Sequence, residues 1–196
     1  MTDPLRPYWD FDDLDATEGR FRVLQAEIQT QLARVAGMRE DYATGDRLLD
    51  EVTENAPRVR IRVDLERGRI RNSSGDKAAA LPLFEKAFET AIEAGEDWHA
   101  GDAAHMCALA APDRAGFVAW TNRGLELARR SAGAAYWEGP LLNNLGWDHF
   151  GAEEYQWALE LFEQALVVRE RDPDNPAAIQ HAREAVAEAR KALGRE

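Results

Sequence analysis

The chain is 196 residues long and 45% hydrophobic, with 36 acidic against 24 basic side chains and a formal net charge of −12. That apolar content supports a folded core and excludes intrinsic disorder, while the negative charge excludes nucleic acid and anionic membrane as natural partners. The amino terminus, MTDPLRPYWDFDDLDATEG, lacks the basic start and apolar run of a secretory signal, and a single cysteine, Cys107, permits no internal disulfide, so a cytoplasmic setting is expected.

Abundant Ala, Glu, Arg and Leu predict helix almost throughout. Residues 1–16 read as an extension whose Trp9 and Phe11 cover the first helices. Helices are predicted at 17–38 and 42–54, 58–72 and 77–94, 98–111 and 114–131, 137–150 and 153–171. A last one runs from an Asn175 cap and Pro176 towards Gly194. Gly45-Asp46, Gly75-Asp76, Pro112-Asp113 and Gly151 are read as hand-overs within helix pairs. Asn55-Ala56-Pro57, Gly95 and Gly133 are read as joints between pairs. Pro82 falls inside the fourth helix and should bend it. In the last helix Ala178, Ile179, Ala182, Val186, Ala189 and Leu193 form one stripe, suited to covering the end of a stack.

The pairs are copies of one another. In LLNNLGWDHFGAEEYQWALELFEQAL, residues 141–166, the positions Gly146, Ala158, Phe162 and Ala165 recur 78 residues earlier as Gly68, Ala80, Phe84 and Ala87. They recur 35 residues earlier still as Ala33, Gly45, Leu49 and Val52. A weaker copy from Trp98 to Ala132 places His105 and Gly124 in the same register, with Phe117 and Thr121 standing where Ala158 and Phe162 do. Large and small have traded places there, which conserves volume. A small residue on one helix lets the next approach, and a large ring on that next helix fills the space beside it.

This pattern resembles the bacterial-type tetratricopeptide repeat over nearly the whole chain, with Leu142 and His149 where that family usually has Trp and Tyr. The resemblance implies an all-α fold: a right-handed α-α superhelix of about four helical hairpins at 17–55, 57–95, 98–132 and 136–172, plus a C-terminal capping helix at 175–194. The whole forms one domain over 1–196. In that family the first helix of each pair lines a concave side where partners bind. Carried over by position, the lining is Arg34, Arg62, Arg69 and Asn72, then Asp102, Met106, Asn143, Asn144 and Trp147.

Three arginines gathered on an acidic chain would make a site for a carboxylate or phosphate. The alternative is that they solvate the surface and pair with acids such as Glu66. Trp147 either anchors a partner or packs against a neighbouring unit. His105 and Cys107 are two apart on a helix and diverge, neither CxxC nor HExxH is present, and no Gly-rich loop follows a strand, so no metal, cofactor or catalytic nucleophile is expected. The function read from the chain is a non-catalytic protein-interaction scaffold that binds a peptide or extended partner segment, with an acidic segment favoured. Two alternatives stay open: a homo-oligomerising structural protein, as a homodimer through Trp120, Trp137 or Trp157, and a hydrolase using a histidine and an acid on adjacent helices.

Overall fold

Short polar side chains start five of the nine helices among the described residues. In the computed structural model, which describes residues 3–195, Asp13, Asp41, Asp76, Asp113 and Asn175 each accept a hydrogen bond from the backbone N–H three residues ahead, at 2.7–3.2 Å. Each such cap satisfies an amide that the first turn leaves unpaired. Residues 1, 2 and 196, which belong to the expected extension and domain span, lie outside the described residues. Pro57 and Pro176 sit at the first position of their helices, where a missing N–H costs nothing.

The described residues form nine α-helices and no strand. They are α1 (Leu14–Met38), α2 (Tyr42–Asp50), α3 (Pro57–Ser73), α4 (Lys77–Ala94), α5 (Asp97–Ala110), α6 (Arg114–Arg130), α7 (Glu138–Gly151), α8 (Tyr155–Arg169) and α9 (Pro176–Ala192). Two boundaries differ from the sequence reading by more than two residues. The first helix starts at Leu14, three residues early, because Asp13 and not a later residue caps it; the second stops at Asp50, ahead of Val52-Thr53, since β-branched residues lose side-chain freedom in a helix. Pro82 lies within α4, exposed, and the helix continues through it.

The hand-over inside each of three pairs is a left-handed residue. Glu40, Gly75 and Glu153 have φ of 62°, 90° and 62°. They are spaced by the same 35 and 78 residues that separate Ala33 from Gly68 and Gly68 from Gly146, so the repeat is written into the backbone as well as the side chains. Gly45, read as a hand-over, instead sits inside α2: a Cβ there would lie 2.8 Å from Ile70 Cδ1. Its smallness serves packing, and Glu40 makes the turn. Between α5 and α6 the device changes, because Pro112 pushes Ala111 into an extended conformation (φ −55°, ψ 141°) and Asp113 caps α6.

Two compact units result, one up to Gly95 and one from Glu96. In the first, α1 packs on α2, both pack on α3, and α3 packs on α4. Its core joins Ala33, Leu49 and Ile70, with Tyr42, Leu48 and Val63 around them. In the second, α5 pairs with α6 and α7 with α8, while α9 lies on α8. There Ala158, Leu159 and Phe162 meet Ala185, Val186 and Ala189, so the expected stripe of α9 does cover its neighbour.

The recurring glycines sit at close helix crossings. A Cβ at Gly68 would collide with the ring of Phe84, and one at Gly146 with the ring of Phe162; both rings are fully buried. Each buried phenyl contributes about 1.5–3 kcal/mol, on condition that the facing helix carries no side chain at that point.

Candidate functional site

In the first unit two of the three predicted arginines, Arg34 and Arg69, converge on one carboxylate. Arg62, Glu66 and Arg69 fall at i, i+4 and i+7 on α3 and so share a face. Glu66 is buried, with its side chain 3% exposed; Arg69 Nη1 donates to its Oε1 at 2.7 Å, and Arg34 Nη1 from α1 reaches the same oxygen at 3.5 Å. The two arginines that occupy equivalent places in successive repeats are therefore bridged through Glu66, which keeps a buried charge compensated.

Arg62 is different. It is half-buried, no carboxylate among the described residues pairs with it, and its Nε is enclosed without an acceptor. Asn72, three residues beyond Arg69, likewise has its Oδ1 enclosed without a donor. The neighbouring cations on α3 are tied elsewhere: Arg67 to Asp50 and Arg71 to Asp46, both at 2.7 Å, clamping α2 to α3.

In the second unit the predicted residues separate. Asp102 and Met106 are buried along α5, at 2% and 9% exposure. Asn144 points to α5 and its amide donates to His105 Nε2 at 2.9 Å, which leaves the ring proton on Nδ1. Asn143, one residue and about 100° round the helix, faces a cavity of about 320 Å³ shared with Tyr136, Arg169 and His181. Trp147 packs within its own repeat, its ring centroid 4.9 Å from that of Phe162 and 5.3 Å from that of Phe150, and not against a neighbouring unit; it stays 43% exposed.

Trp137, named as a self-association residue, is instead 8% exposed. Its indole Nε1 donates to the carbonyl of Trp98 at 2.8 Å, its ring occupies the space a side chain at Gly101 would need, and its centroid is 5.3 Å from the His105 ring. In the third repeat, where histidine replaces the packing glycine, this ring arrives from beyond α6 to supply the large group. Phe117 is only half-buried, while Thr121 is fully buried with its hydroxyl unpartnered. Trp157 is 62% exposed, and Trp120 lies under the Arg123 guanidinium at 4.9 Å.

A polar clasp with no counterpart in the sequence reading closes the α7–α8 turn. Arg114, at the start of α6, donates to Asp148 at 2.8 Å and to Glu154 at 2.9 Å, and His149 Nδ1–H donates to Glu154 at 2.6 Å. These bonds, first from Arg114 and then from His149, hold the Glu154 carboxyl below its ordinary range, and the bond to Asp148 chiefly raises Arg114. Arg114 lies 34 and 40 residues from its two acids, so no local motif signals the clasp.

Residues 141–171 match the model of the tetratricopeptide repeat family. The chain is TPR-like. A solved structure, BtubC (BKLC) from P. vanneervenii, superposes with a TM-score of 0.71 over 90% of this chain and 75% of that one at 18% identity, which establishes a shared helical-repeat fold. No curated protein matches the sequence. Such a repeat in a TPR-like protein supports protein interaction in general. Among the described residues no helix is long and apolar enough to cross a membrane.

Proposed function

We propose that this protein is a non-catalytic scaffold that holds a peptide or extended segment of a partner protein on the faces of its first helices. In the first unit an acidic group of the partner is received by Arg62, flanked by Arg34, Arg69 and Asn72. In the second, Asn143 and Trp147 offer amide and aromatic contacts, while Asn144, whose amide is taken by His105, and the buried Asp102 and Met106 support the helices that carry them. The observation that carries this reading is the Arg62 guanidinium, half-buried beside the Arg34–Glu66–Arg69 bridge with its Nε lacking an acceptor. A planar fork of donors in that state is completed by a carboxylate.

The test uses a fluorescent peptide rich in Asp and Glu with a free terminal carboxylate, titrated against the full chain and its Arg62→Ala variant. Affinity is expected to fall at least about tenfold, or ~1.4 kcal/mol, with helicity and melting unchanged. Unchanged affinity, or no binding by the wild type, removes the assignment. Arg69→Ala is the wrong probe, because it takes the nearest cation from a buried carboxylate and lowers stability whatever the ligand.

A further inference from the structure

The last two helices leave a groove that is not filled from within the described unit. Between α8 and α9 runs an open depression of about 790 Å³ with Leu166, Val167 and Val186 on its floor, and Val167 is 56% exposed. That volume lies in the range of sites that enclose ligand-sized groups, roughly 300–1,000 Å³. Two ion pairs cross it, Arg183 with Glu170 at 2.9 Å and Arg190 with Glu163 at 2.8 Å. Two further cations stand on the same rim without a carboxylate among the described residues: Arg195, which donates to Gln156 at 3.0 Å, and Lys191. On a chain of net charge −12 this groove carries four cations against two carboxylates. A surface of that kind selects an apolar segment bearing negative charge.

The chain carries such a segment near its other end. Trp9, Phe11 and Leu14 are 41%, 65% and 64% exposed, and they are interspersed with Asp10, Asp12, Asp13 and Asp15. Trp9 and Phe11 stack at 5.4 Å, and Arg6 lies 4.8 Å from the Phe11 ring centre, so the aromatic pair is held as a wedge. Asp13 is engaged in capping α1 and Asp10 stands 3.7 Å from Arg20, while Asp12 and Asp15 make no ion pair with any described residue.

We propose that the acidic aromatic segment of one copy docks in the α8–α9 groove of a second copy, Phe11 and Leu14 meeting the apolar floor and Asp12 and Asp15 meeting Lys191 and Arg195. The two surfaces differ, so the contact is heterologous: it propagates head to tail or closes a ring and does not stop at a two-fold dimer. Its charged rim makes it weaken as salt rises.

Light scattering of the full chain over a wide concentration series, at low and high salt, tests this. Wild type is expected to gain mass with concentration, and less so in high salt. Phe11→Ser spoils the segment and Val167→Glu spoils the groove; both sites are exposed, so folding, read by circular dichroism, is expected to survive. Each variant alone is expected to associate at least tenfold more weakly. An equimolar mixture retains one sound segment and one sound groove, and is expected to give a species of two chains and nothing larger. A wild type of constant monomer mass overturns the proposal, whether the groove then takes a foreign acidic segment or the chain's own. So do variants that associate like wild type, or a mixture that stays monomeric while wild type assembles.

Discussion

Gly68 and Gly146 are identical in role because each gives up its side chain to a phenylalanine sixteen residues later. Returning even one methyl to Gly146 overpacks a space already occupied by the Phe162 ring, and overpacking of this type costs about 1–3 kcal/mol. Gly146→Ala is therefore expected to melt lower, by roughly 2–4 °C for each kcal/mol lost, in thermal circular dichroism. An unchanged melting temperature would mean that the ring relaxes freely and that the glycine is not a packing requirement. These contacts are legible because the sequence carries the same residue types at the same intervals in two copies. Trp137 is not: it enters the third repeat from beyond α6, and nothing local to Gly101 or His105 announces a ring arriving from more than thirty residues away.

Single elements depart from the simple rule that large apolar residues point inward. Along α1 the buried positions include Ala26, Thr30, Ala33 and Ala36, while Ile28, Leu32, Val35 and Met38 remain 42–80% exposed. Close packing of α1 on α2 and α3 is achieved with small residues, which is why the helix is only weakly amphipathic and why periodicity locates it less well than its caps do. The hand-over after α7 shows another such limit. Glu154 stands beside Arg114 and His149, and its carboxyl titrates below the usual value of about 4.3. A carboxyl lowered in the folded state stabilises above its unfolded value, and that contribution disappears as pH falls through the lowered folded value. Glu154→Gln is expected to be less stable than wild type near neutral pH and equal to it in strong acid, compared by denaturant unfolding at each pH. A difference that persists in acid would assign the effect to packing of the turn.

For the whole molecule, helix order and pairing are readable from caps, turns and repeat intervals, all of which are short-range or strictly periodic. Where side chains finally point within the site is less so. Asn143 and Asn144 stand side by side in the sequence as one amide pair, yet one faces a cavity beside α9 and the other bonds to α5. The arginine site is half legible: Glu66 is already an expected partner for the arginines, but only tertiary packing reveals that Arg34 and Arg69 share it and that Arg62 is left over.

Cys107, fully buried on α5, is also the chain's single sulfhydryl. It makes a built-in clock for the carboxy-terminal unit, since a disulfide-exchange reagent can capture the sulfur only in molecules where that unit has opened. Capture in native buffer is expected to be slow for wild type and faster for Gly146→Ala, whose altered residue lies in the same unit. If the two rates coincide, α5 breathes on its own, independently of the α7–α8 pair.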